Sequence, residues 1–110
     1  MAHKLIWYQK TVDKLEEKLA DNIEEVGLFI EQEAKKNITD MGAVKTGNLK
    51  NSIAHVTDKK QFTTIIGTDV KYAKNVELGT PSMAPRPFLR YALLNNTTKI
   101  KEMLTKGNIQ

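Results

Sequence analysis

The sequence predicts an α+β domain in which a long N-terminal helix and a C-terminal helix pack on a small antiparallel β-hairpin. Three patterns carry that reading: apolar residues every three or four positions from Val12 to Ile38, two β-branched runs between residues 54 and 67, and an apolar segment from Phe88 closed by Gly107. The chain has 110 residues, 40% apolar and 27% charged, with six glycines, three prolines and no cysteine. That length fits one domain, residues 1–110, with a thin core, because folding at this size buries about 60 to 70% of the surface the unfolded chain exposes. Without cysteine there is no disulfide framework, no thiolate metal site and no cysteine nucleophile, which suits a reducing compartment. No signal-peptide pattern and no run of about 18 apolar residues occurs, so the chain is read as cytosolic when made, with no membrane partner. The glycosylation acceptors at Asn37, Asn95 and Asn96 are set aside on the same ground.

Each element has a local cause. Val12, Leu15, Leu19, Ile23, Val26, Ile30, Ala34 and Ile38 form one stripe of a helix, while Lys14, Glu17, Lys18, Asp21, Glu24, Glu25, Gln32 and Lys35 fill the remainder. Trp7, Tyr8 and Phe29 extend the stripe as packing residues. Gly27 costs a helix about 1 kcal/mol relative to alanine, so its place in mid-pattern points either to close approach of another backbone, the favoured reading, or to a tolerated weakness. The pattern stops at Thr39-Asp40-Met41-Gly42, and a loop runs to about Gly47. Thr46 to Ile53 reads as a short helix with Thr46 as N-cap, burying Leu49 and Ile53. Ala54–Thr57 and Gln61–Gly67 read as the strands of a hairpin turning at Asp58-Lys59-Lys60. Tyr72 to Leu78 gives one or two helical turns stopped by Gly79, and Pro81, Pro85 and Pro87 exclude regular structure after it. A final helix is expected from Phe88 to about Lys106, with Leu89, Leu93, Ile100, Met103 and Leu104 as its apolar side.

Charge divides the chain unevenly. Seventeen basic against thirteen acidic side chains leave a net +4, with a pI near 9.3. Residues 1–38 hold six basic and eight acidic groups, and residues 39–110 hold eleven and five. The lysines are scattered rather than blocked, which favours an ordinary solvated surface, and the basic excess of the second half keeps a small basic nucleic-acid-binding module using the hairpin lysines as the alternative function.

No catalytic set assembles. His3 and His55 have no acidic or histidine neighbour at metal-ligand spacing on a shared helix face and read as solvated surface residues, which leaves a hydrolase or ribonuclease built on them a minor reading. Gly42 to Leu49 has the glycine spacing of a phosphate-binding loop, but Asn48 and Leu49 replace the lysine and hydroxyl that such a loop requires. Glu16 with Glu17 and Glu24 with Glu25 are adjacent positions that point about 100° apart on a helix, a wetted face rather than an acid and base pair. The chain is therefore read as a non-enzyme with no cofactor and no metal.

The informative stretch lies later. Gly79 and three prolines make a stiff connector into Phe88 and Leu89, which the residues alone allow as a rigid internal crossover, the favoured reading at this point, or as a loop that loses little entropy when it docks. The order Thr46-Gly47-x-Leu49-x-x-Ser52-Ile53, then Tyr72-Ala73-x-x-Val76-Glu77-x-Gly79-Thr80, then Met83-Ala84-x-Arg86-Pro87-Phe88-Leu89-Arg90-x-Ala92-Leu93 resembles the small neck proteins of long-tailed bacteriophages, the head-tail joining, tail-completion and tail-component proteins. The resemblance covers nearly half the chain, and the long N-terminal helix suits the same layout. Tyr91 departs from it, standing where members often carry proline.

The resemblance implies a non-enzymatic structural protein of a phage or prophage virion, made in the bacterial cytoplasm, that joins head to tail or completes the tail at the neck. Implied partners are the head-tail connector or stopper and the tail terminator, further copies in a homo-oligomeric ring, and weak contacts with DNA passing through it. Glu77, Thr80, Met83, Arg86 and Arg90 are the expected interface residues. Tyr72, Val76, Gly79, Pro87, Phe88 and Leu89 are assigned to architecture. In a ring, one patch meets a different patch of the neighbour, and the acidic first helix and basic remainder are expected to supply part of that match.

Overall fold

A computed structural model describes the backbone of residues 2–41 and 46–105 and the side chains of residues 16–41 and 47–105. The expectations for the side chains of His3, Trp7, Tyr8, Val12, Leu15 and Thr46, for the segment 42–45 and for Gly107 lie outside those residues. The order of elements is α1 (Ala2–Met41), α2 (Thr46–Ser52), β1 (Ala54–Asp58), β2 (Thr63–Gly67), α3 (Ala73–Leu78), α4 (Phe88–Leu94) and α5 (Thr97–Thr105). The predicted α+β class is found, with a long N-terminal helix, C-terminal helices and a two-stranded antiparallel sheet.

Helix α1 sets the dimensions of the molecule. Its 40 residues span about 60 Å at 1.5 Å per residue, and the longest axis is 68 Å against 25 and 22 Å across. Of the stripe read from the sequence, Ile23, Val26, Ile30, Ala34 and Ile38 are buried under the other elements, whereas Leu19 is exposed and its neighbour Ala20 is buried instead. Around them gather Leu49 and Ile53 from the α2 region, Ala73 and Val76 of α3, Phe88 and Ala92 of α4 and Ile100 of α5. Two side chains of α1 fix the C-terminal helices in place. Buried Asn22 donates from Nδ2 to the Leu104 carbonyl at 3.2 Å, and Asn37 donates to the Phe88 carbonyl at 3.0 Å.

The hairpin pairs His55 with Ile66, Val56 with Ile65 and Thr57 with Thr64. Period-two alternation puts His55, Thr57, Thr64 and Ile66 toward α1 and leaves Val56 and Ile65 exposed on the outer face. Close packing at Gly27 is found, but side chains of the hairpin rather than another backbone make it. A Cβ there would fall 2.8 Å from the His55 ring and closer still to the Thr64 hydroxyl.

Four expectations change. Strand β2 begins at Thr63 rather than Gln61, because the Asp58 carboxylate accepts the Lys60 and Gln61 amides at 3.0 and 3.3 Å and organises a longer turn. Phe62 closes that turn at φ 51°, in the left-handed region. The single C-terminal helix is two, because Asn95 and Asn96 interrupt it. Asn96 donates from Nδ2 to the Ala92 carbonyl at 2.8 Å, while its own carbonyl accepts the Ile100 amide at 2.9 Å and starts α5. These helices pack chiefly on α1 rather than on the sheet, which packs on α1 as well. Leu93, expected in the core, is 47% exposed.

The fit at Gly27 gives a sign test. In a helix, glycine to alanine normally stabilises by about 1 kcal/mol, whereas Gly27→Ala is expected to lower the urea midpoint, because the new methyl displaces Thr64 and His55.

Candidate interaction surface

The loop between α3 and α4 is built from its two ends inward. The Gly79 amide closes α3 on the Asn75 carbonyl at 2.8 Å, and Gly79 itself sits at φ 77°. A Cβ at this position would lie 2.7 Å from the Pro85 nitrogen and 2.8 Å from the Met83 carbonyl oxygen. Both the dihedral and the crowding therefore demand glycine. Thr80 and Met83 exchange two backbone hydrogen bonds, 2.8 and 3.1 Å, around Pro81-Ser82. The Arg86 amide then returns to the Val76 carbonyl at 2.7 Å. This anchors the far end of the loop on α3, and Pro87 and Phe88 are buried directly after it.

Glu77 joins the two helices. Its Oε1 accepts the Leu89 amide at 2.8 Å and its Oε2 the Arg90 amide at 3.2 Å. A carboxylate on the first turn of α4 satisfies amides that have no partner within the helix and meets the positive end of its dipole. Of the residues expected at an interface, Arg90 is exposed, and Thr80, Met83 and Arg86 are half-buried on the braced loop. Glu77 is half-buried, with both oxygens engaged by α4. Glu77 and Arg90 both line an apolar groove, while Thr80 and Met83 face each other across the turn.

Two features were not found by sequence reasoning. The first is that groove, about 590 Å³, floored by Val26 and Ile30 of α1 and walled by Ile66 of β2, Leu78 of α3 and Leu89 and Leu93 of α4. The second concerns His55. Far from being a solvated surface histidine, its side chain is only 14% exposed and lies between two carboxylates of α1. Nε2 is 2.8 Å from Glu24 Oε1 and Nδ1 is 3.0 Å from Glu31 Oε1. Glu24 therefore does more than line a wetted face. The available signal was the seven-residue spacing of Glu24 and Glu31, two turns apart on one side of α1, together with the inward parity of His55 on its strand.

An imidazole bonded to a carboxylate at each nitrogen needs both N–H donors, so the charged form is favoured. Hydrogen bonds to Glu24 and then Glu31 raise the His55 pKa above its ordinary 6.5. Hydrogen bonds from Thr57 and then His55 hold Glu24 below 4.5, and the bond to His55 does the same for Glu31, which also faces Lys35. Among the described residues no three histidine or acidic side chains converge as a metal site, and no helix is long and apolar enough to cross a membrane.

With this geometry in view, the comparisons with known proteins give one match. The family described as "Bacteriophage HK97-gp10, putative tail-component" matches residues 3–79. The match takes in α1, α2, the hairpin and α3, and ends at the glycine that opens the loop. The chain belongs to this family of phage tail components, whose place is in the virion among other virion proteins. No curated protein and no solved structure matches it.

Two outcomes follow from the site. Glu77→Ala is expected to cost about 1 kcal/mol by uncapping α4, read as a lower urea midpoint. The histidine clamp gives a pH signature. A raised histidine pKa contributes stability fully below about 6.5 and loses it as pH rises through the folded-state value. The two lowered carboxyls contribute above about 4.5 and lose it as pH falls through theirs. The melting temperature should therefore decline as pH rises above about 6.5 through the raised folded-state pKa, and His55→Gln should flatten that decline.

Proposed function

We propose that the chain is a non-catalytic structural component of the phage neck, a single domain that joins head to tail or completes the tail. It assembles as a homo-oligomeric ring between the connector or stopper and the tail terminator. The observation that supports this reading best is the braced loop. A segment fixed by Gly79, three prolines and hydrogen bonds at both ends gives up little conformational freedom on docking, so more of its contact energy appears as affinity. Membership of a tail-component family supports the same reading. Thr80, Met83, Arg86 and Arg90 present the docking surface. Glu77 contributes by holding the start of α4 beside it. Part of the opposite charge between α1 and the remainder is satisfied within the chain, through Glu24 and Glu31 with His55 and through Asp21 with Lys59. The remaining exposed charge makes assembly sensitive to salt.

The experiment is complementation of a phage or prophage lacking this gene, with particles examined by electron microscopy. Loss of the chain should leave filled heads and tails unjoined or tails incomplete, and normal particles would refute the reading. The double variant Arg86→Ala/Arg90→Ala should fold with stability within about 0.5 kcal/mol of the parent, since the Arg86 contact to Val76 is made by the backbone, yet fail to restore joining. Phe88→Ala should instead lose about 3 to 5 kcal/mol of stability by emptying the core. Equal thermal destabilisation in both variants would remove the distinction.

A further inference from the structure

The cover over the stripe of α1 thins at Leu19. Ile23, Val26 and Ile30 are buried, but Leu19, the next stripe residue toward the N-terminus, is 36% exposed. Upstream of it the sequence keeps the same spacing through Leu15, Val12, Tyr8 and Leu5, and the helical backbone runs on to Ala2. On the same side of α1, the groove over Val26 and Ile30 stands open between the hairpin and the C-terminal helices, with Leu78 and Leu93 at its lips 54% and 47% exposed. An apolar groove of this kind takes the apolar face of an amphipathic helix.

We propose that this face is completed by a second copy of the chain, whose α1 runs antiparallel to the first and sets its N-terminal turns into the groove. Charge selects both the occupant and its direction. Residues 2–15 carry three lysines and one aspartate, whereas residues 16–33 carry seven carboxylates and one lysine. Antiparallel pairing lays the basic segment of each helix along the acidic segment of the other, and parallel pairing sets acid against acid. The contact is reciprocal, so the pair is two-fold and closed. Glu77 and Arg90 line the same groove, so a paired copy and a neck partner compete for it. The paired form thus withholds the docking surface until a partner displaces it, and this last step rests on the neck reading above.

The absence of native cysteine makes the test direct. Full-length Val12→Cys and Leu93→Cys chains, one carrying a size tag, are mixed and oxidised. A mixed disulfide between the two chains is expected, and none when Leu93→Cys is replaced by Leu28→Cys, a half-turn away on the far side of α1. In sedimentation the unsubstituted chain should form a concentration-dependent dimer that weakens with added sodium chloride, and Leu93→Asp should lose the dimer with its melting temperature retained. A chain monomeric at every concentration, or linkage through Leu28→Cys as efficient as through Leu93→Cys, overturns the pairing. The neck reading is scored separately, by particle joining. A monomeric chain that is still required for joining refutes the pairing alone, and a dimeric chain dispensable for joining refutes the neck role alone.

Discussion

Everything in this fold leans on one face of one helix. A two-stranded hairpin is marginal by itself in water, and helices of six to nine residues are shorter than an isolated helix needs. The hairpin, α2, α4 and α5 gain order by burying apolar surface on the stripe of α1, and α3 is held chiefly through α4. The stripe therefore acts as a shared template, directly for four neighbouring elements and through α4 for α3. Polar contacts refine the fit: Asn22 and Asn37 select where α5 and α4 sit, and Glu24 and Glu31 select where the hairpin sits.

The two polar clusters illustrate different uses of a carboxylate. Glu77 is acceptor only, bonded to backbone amides that would otherwise lack partners, and its effect is local and geometric. Glu24 and Glu31 instead share one imidazole, so the strength of the hairpin's attachment depends on a proton. A neutral ring keeps a single N–H, leaving one carboxylate facing a lone pair. The hairpin is thus held by a contact that weakens as pH rises through the raised pKa of the imidazole.

Much of this was legible in the sequence. The period of α1, the hairpin, the stop at Gly79 and the proline loop are local signals, set by residues within a few positions of one another, and the structure places them within a residue or two. What was not legible depends on distance. His55 and Glu31 are 24 positions apart, and neither advertises the other. The break at Asn95-Asn96 was locally encoded, yet the apolar residues on either side, Leu93 and Ile100, continue a helical spacing and mask it. Leu93 was assigned to the core for the same reason. It lies on an apolar lip that only the assembled α1, β2, α3 and α4 create. The resemblance carried by the later motifs and the family match at residues 3–79 agree, although the proline loop itself falls beyond that match.

The two connections of the chain's second half differ in how they tolerate a change in length. The hairpin turn at Lys59–Phe62 is exposed and organised mainly by one aspartate, so an added residue there can bulge into solvent without moving either strand. Between Gly79 and Pro87 almost every residue is counted by a hydrogen bond, a ring or a close contact with a fixed neighbour. Homologous chains are free to lengthen the first and are held to a constant spacing in the second, so an alignment that opens a gap between the α3 glycine and the α4 phenylalanine has joined residues that do not correspond.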